Sequence, residues 1–373
     1  MINLLNKFFV LQLFLLLLIV ISCKKENPTN PPQTEKRNFY MGFTPFPYDI
    51  NAVAQNYVYD KLATDADIIA HHFDDGVPWV EALADTDFHP NIMADWQYRL
   101  SRTPATHKKY VAVTPISIDR NALAPYKAEE GNLPLPAPWD TISFNHPYVK
   151  EAFLNYCNRV VEFFNPDYFV IGIEVNLLMK LRPDLWDSFL ELHKYVYQQL
   201  KNTYPNLPIF VSFTGMDFIP EYSDADQVKQ QQALNAMMPY TDIYGISVYP
   251  YISSLLTDPI PSNLFDRIFS YSSKPIAICE TGYEADTISI NGGSVIIEGT
   301  PELQNSYISY LLNKAQEYDA EFVINFVLRD YDALWVAIGS PDDIRILWRD
   351  TGLYDENGSA RIAHQTWMEW LNK

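Results

Sequence analysis

Two glutamates carry the strongest chemical signal in the sequence. Glu174 closes the run Ile171-Gly172-Ile173-Glu174-Val175-Asn176, and Glu280 closes Ile276-Ala277-Ile278-Cys279-Glu280. A carboxylate at the end of an apolar run loses hydration and needs partners there, so chance placement is disfavoured. Two carboxyl groups facing each other across a cleft are what glycoside hydrolysis uses: one protonates the leaving oxygen, the other attacks carbon or guides water. Further polar and aromatic residues end other apolar runs: His71, His72, Asp74 and Asp75, then Ser247-Val248-Tyr249-Pro250-Tyr251, then Tyr283 and Phe326. His71 and His72 could pair with Asp74 and Asp75 on a metal. Neighbouring residues of a strand point to opposite faces, however, so hydrogen bonding or sugar contact is the expected role. Asn176 shares the parity of Glu174 in an extended chain and is a candidate for the same cleft. Trp79, Trp186 and Trp335 are candidate sugar platforms, because aromatic faces stack on sugars. Asp119 and Arg120 give no decisive signal. No metal or cofactor is expected.

Something must hold these groups together. Short apolar runs centred on Phe39–Phe43, Asp67–His71, Tyr110–Ile116, Tyr168–Val175, Ile209–Phe213, Ile243–Tyr249, Ile276–Glu280 and Phe322–Leu328 alternate with amphipathic stretches. Leu185, Phe189, Leu192, Val196 and Leu200 recur at helical spacing after Pro183, and Thr300-Pro301 reads as a cap followed by a first-turn proline. A last helix is expected over 360–371. Strands alternating with helices imply right-handed βαβ units and a parallel sheet. Eight such units, no Gly-rich phosphate loop after the first, and polar residues at the strand ends predict an α/β chain folded as a single (β/α)8 TIM barrel over 38–373.

On that frame the motifs acquire a likeness. Lys274 to Tyr283 (KPIAICETGY) resembles the nucleophile segment of the retaining clan A glycoside hydrolases, and Tyr244 to Pro250 (YGISVYP) resembles their sixth-strand segment. The Ser-x-Tyr-Pro and Glu-Thr-Gly-Tyr pieces, with Thr351-Gly352-Leu353-Tyr354-Asp355, are most similar to the family 53 endo-β-1,4-galactanases, which act on arabinogalactan. The resemblance spans about 165–370. It implies Glu174 as acid/base, Glu280 as nucleophile, Tyr249 as hydrogen-bond donor to Glu280, and a β-linked glycan substrate. Ile173 stands where that clan carries Asn, His71 to Gly76 stands where it carries an arginine, and Phe326 stands where it commonly carries a tryptophan.

Composition bounds the partners. The formal charge is −19, which repels phosphate backbones and excludes nucleic acid. Hydrophobic residues make up 48% and aromatics 14%, enough for a packed core. Residues 1–22 read as a lipoprotein signal peptide: Lys7, then an apolar run too short to span a bilayer, ending Val20-Ile21-Ser22-Cys23. Cys23 is the expected lipidation site. Residues 23–37 (Lys24 to Arg37 is KKENPTNPPQTEKR) form a polar, proline-bearing tether to a membrane. The expected location is therefore the bacterial cell envelope, as a monomer. Cys157 and Cys279 are expected as buried free thiols. The competing reading is a non-catalytic glycan-binding lipoprotein on the same barrel.

Overall fold

The structure is a computed structural model and describes residues 36–253, 260–342 and 344–373. The signal segment at 1–22, Cys23, and all of the tether except Lys36 and Arg37 lie outside the described residues. Eight parallel strands appear where the apolar runs placed them: β1 (Tyr40–Phe43), β2 (Ile68–Phe73), β3 (Lys108–Val113), β4 (Tyr168–Val170), β5 (Ile209–Thr214), β6 (Tyr244–Val248), β7 (Ile276–Thr281) and, after a hairpin, β10 (Phe322–Asn325). The strands close in the order β1-β10-β7-β6-β5-β4-β3-β2, with helices between them, and the fold is the (β/α)8 TIM barrel. The hairpin of β8 (Ile288–Ile290) and β9 (Val295–Ile297) is antiparallel and was not expected.

Strand parity builds two cores. Ile68, Ala70, Tyr110, Ala112, Tyr168, Val170, Phe210, Ala277, Phe322 and Ile324 fill the barrel interior. Their neighbours Ile69, Val111, Phe169, Val211, Ile278 and Val323 face outward into the helix layer. The helix Trp186–Thr203 buries Phe189, Leu192, Val196 and Leu200 there, after a 3-10 turn at Pro183–Leu185. Helix Pro301–Glu317 begins as expected, with the Thr300 hydroxyl accepting from the Leu303 amide at 3.2 Å. The last helix, Ile362–Leu371, closes the barrel wall: the Trp367 ring packs 4.7 Å from Phe43, and its indole N–H donates to the Asp65 carbonyl at 2.8 Å. Cys157 and Cys279 are buried free thiols. Among the described residues no helix is long and apolar enough to cross a membrane.

Two departures from regular strand geometry matter for the mouth of the barrel. β4 stops at Val170, five residues before the expected end, and Glu174 adopts a left-handed backbone with φ +49°. In β7 the register slips: Ile246 of β6 faces Ile278, but Ser247 faces Glu280. Since Ala277 and Cys279 already point inward, simple alternation would have turned Glu280 outward. The slip turns it back in, as a bulge does.

Candidate active site

Both glutamates reach the C-terminal mouth of the barrel. The Tyr249 hydroxyl, just past β6, donates to Glu280 Oε1 at 2.6 Å. His72 Nδ1 lies 3.5 Å from Glu280 Oε2. Burial pushes the His72 imidazole down to about 4, so this contact is between a carboxyl group and a neutral ring at pH 7. Glu174 receives the Arg120 guanidinium, whose Nη2 donates to Oε2 at 3.3 Å, and the nearby Ser247 side chain also favours its ionised form. Its own backbone N–H donates to Ser212 Oγ at 2.9 Å, which fixes the left-handed turn against β5.

Burial and the charge of Glu174 push Glu280 up to about 8, against the Tyr249 bond and the Arg120 charge. Glu174 is also raised, by burial foremost, with Arg120 opposing. Burial raises both glutamates, and the charge of Glu174 raises Glu280 further, so the mouth sets two carboxyl groups side by side where each holds its proton more tightly than a free glutamate. A site with that inventory can give a proton to one atom and electron density to another.

Arg120, which gives no decisive signal in the sequence, is the cation of the site. It sits in the long segment between β3 and helix Pro147–Phe164, where no periodicity orders the chain, and takes a left-handed backbone with φ +54°. Its fork grips Asp74 through Nη1 to Oδ1 at 2.9 Å and Nη2 to Oδ2 at 2.7 Å. The one sequence cue was the acidic pair after β2, since buried carboxylates demand cations. Lys127, the buried member of its pair, meets the more exposed Asp75 at 2.7 Å. Trp348 was missed in the sequence. It is half-buried and stands edge-on to Tyr249, with ring centres 5.8 Å apart.

Several expected contacts fail on geometry. His71 is buried and faces the helix layer, where Nε2 meets Thr103 Oγ1 at 2.9 Å, so only His72 of that pair faces the mouth. Asn176 is fully buried: it starts helix Asn176–Leu181, accepts from the Thr214 amide at 2.8 Å and donates to Gln230 at 2.9 Å. The shared parity with Glu174 was void because the chain between them is not extended. Trp79 is completely buried, stacked on Trp139 at 5.3 Å, with its N–H on the Ala124 carbonyl. Trp186 packs on Phe189, and Trp335 packs in a small core with Val327 and Tyr331. Tyr283 is buried between Tyr251 and Tyr307. None of these four rings offers a face to a sugar. Phe326 remains half-exposed, edge-on to Phe46 at 5.2 Å. Asp74 holds Arg120 rather than standing free. Ile173, in the position expected for Asn, is part of the barrel interior core.

A second carboxylate group lies in the loops after β7 and β10. Oxygens of Asp286, Asp330 and Asp350 fall within 4.8 Å of one another. Arg361 pairs with Asp330 at 2.6 Å and with Asp286 at 3.2 Å, while Arg349 pairs with Asp350 at 2.6 Å. Glu284 is fully buried next to them, and burial beside Asp350 and Asp330 holds it well above the usual carboxylate range.

No protein-family model and no curated protein matches the chain. Solved structures do resemble it. An exo-β-1,4-mannosidase from Opitutaceae bacterium strain TAV5 aligns over 90% of this chain at 11% identity and TM-score 0.60. This chain spans 59% of that protein's length. A GH5_18 protein from Streptomyces cattleya, solved with GlcNAc, aligns over 91% of this chain and 80% of its own, at 11% identity and TM-score 0.61. A GH5_18 variant from Bifidobacterium longum subsp. longum ATCC 55813, solved with Manβ1-4GlcNAc, aligns over 89% and 77%, at 12% identity and TM-score 0.62. At such identities the likeness establishes the shared barrel.

Proposed function

We propose that the chain is a retaining β-glycosidase working by double displacement. The observation that carries the reading is the pair Glu174 and Glu280 at the barrel mouth, both raised by burial, with the Tyr249 hydroxyl on Glu280. Glu280 attacks the anomeric carbon as carboxylate and forms a glycosyl ester while Glu174 protonates the departing oxygen. Glu174 then removes a proton from water, which attacks the ester and frees Glu280. The bond from Tyr249 favours the ionised form of Glu280, and a glycosidic oxygen bound against Glu174 gives a proton held there an acceptor. The half-exposed rings of Phe326, Phe46 and Trp348 supply apolar faces for sugar.

Two substrate classes have support. The Glu-Thr-Gly-Tyr and Ser-x-Tyr-Pro motifs favour β-1,4-galactan, and the neighbours, an exo-β-1,4-mannosidase and a GH5_18 variant solved with Manβ1-4GlcNAc, favour β-1,4-linked mannosides. A panel of aryl β-galactosides, mannosides and glucosides, with proton NMR of the first-formed sugar, tests the reading. Release of the β-anomer is expected. Release of the α-anomer overturns retention, and no turnover alongside measurable glycan binding installs the binding-protein reading instead. We propose further that Cys23 carries lipid and tethers the barrel to the bacterial envelope, so that Cys23→Ser releases the protein from membranes or leaves the precursor uncut.

A further inference from the structure

Resting on this assignment of Glu174 as the acid, we propose that Asp74 is a positioning residue that keeps Arg120 from stripping the proton from Glu174. A guanidinium presents its donors in a rigid planar fork, and a carboxylate that meets both terminal nitrogens at once fixes the plane. Asp74 does this to Arg120 at 2.9 and 2.7 Å. What remains for Glu174 is one hydrogen of Nη2, at the longer distance of 3.3 Å. Arg120 Nη1 also donates to the Ser117 carbonyl at 3.2 Å, and the turn that holds its backbone closes through the Arg120 amide on the same carbonyl at 2.8 Å. Its side chain is 7% exposed, so the guanidinium has little water to turn to.

The consequence follows from charge. An arginine within hydrogen-bond reach of a carboxyl group favours its ionised form, which is wrong for a general acid. A second carboxylate on the same guanidinium offsets that charge and adds a repulsion of its own. Burial, Arg120 and Asp74 are the leading influences on Glu174, with Arg120 lowering its proton affinity and Asp74 raising it. Among the described residues, the remaining ionisable groups around the site are Glu280 of β7, Tyr249 after β6, Tyr110 of β3 and His72 of β2. Arg120 is the cation among them. Without Asp74 the fork is free to rotate and pair with Glu174 through both nitrogens.

The test reads Glu174 directly, without turnover. Glutamate 13C-labelled at the side-chain carboxyl is followed by NMR across pH in the full chain carrying Glu280→Gln, so that one member of the pair titrates alone. Loss of the signal in Glu174→Gln assigns it. Asp74→Asn should lower the Glu174 midpoint by about one pH unit, a tenfold loss of the protonated fraction above it. Adding Arg120→Gln to Asp74→Asn should raise the midpoint again. Arg120→Gln alone should raise it above the starting value, which keeps the test open if Asp74→Asn does not fold. A midpoint that stays put in Asp74→Asn, or in Arg120→Gln, overturns the proposal. With Glu280 intact, the basic limb of kcat/KM should follow the same shifts. If the NMR midpoints move as stated and the wild-type chain hydrolyses no glycoside, the glycosidase reading fails and the control of Glu174 by Asp74 stands.

Discussion

At the barrel mouth Glu174, Glu280 and Asp74 meet one arginine, Arg120. Behind β7 and β10, Asp330 and Asp350, with Asp286 at the rim, meet two, Arg349 and Arg361. The ingredients are alike, yet access separates them. The side chains of Glu174 and Glu280 are 18% and 19% exposed, enough for a substrate to reach, whereas Asp330 is 0% and Asp350 is 3% exposed. Partner chemistry separates them too. Glu280 is faced by a tyrosine hydroxyl and a neutral histidine, which leave its charge available, while Asp330 and Asp350 are each taken by a guanidinium. A buried carboxylate is reactive where its compensation is incomplete and the surface is open. Where an arginine completes it under cover, it is a fastener between loops.

Changes at the mouth should therefore act first on kinetics, and changes behind it on stability alone. The largest effect is expected from Glu280→Ala, which should lose turnover by several orders of magnitude, with azide restoring cleavage of an activated aryl substrate to the inverted product. Glu174→Gln should slow natural glycans roughly 10²–10⁴-fold, while aryl substrates with good leaving groups keep much of their first-step rate; a series of graded leaving groups reads this. Behind the mouth, Arg361→Ala should destabilise the fold by about 3–5 kcal/mol in urea unfolding, because it strands buried Asp330. Its pH–rate profile should keep the wild-type shape, and a changed profile would erase the distinction between the two groups.

Two smaller shifts sharpen the picture. Tyr249→Phe removes the donor that favours ionised Glu280, so the acid limb of the profile should move to higher pH. Glu280→Gln should raise stability relative to wild type at alkaline pH. The folded-state value, about 8, lies above the ordinary glutamate value of 4.5, so folding favours the protonated form. That contribution is fully present below 4.5 and is lost as pH rises through 8. The stability gain of the variant should be largest above pH 8 and smallest near 4.5, by thermal unfolding across pH.

The barrel was legible because its strands are short apolar runs at regular spacing, and a period of two survives even where β4 ends early. Glu280 and Tyr249 were legible through their motifs, although the register slip that aims Glu280 inward leaves no mark on the sequence. Asn176 was misplaced by extending strand parity through a left-handed turn. The tryptophans misled because an aromatic residue reads alike whether it stacks on a sugar or, like Trp79, on Trp139. Arg120 stayed hidden because its place depends on a long connection with no repeating pattern, and only the unpaired demand of Asp74 pointed toward it.

The claim on which the rest depends is that Glu280 becomes covalently bonded to sugar. Incubating the wild-type chain with activated 2-deoxy-2-fluoro β-glycosides of galacto, manno and gluco configuration, then mapping peptides by mass spectrometry, tests it directly. A fluorosugar adduct is expected on the peptide carrying Glu280, absent from Glu280→Gln. An adduct on Glu174, or turnover of the parent glycosides with inverted product and no adduct at all, would contradict it.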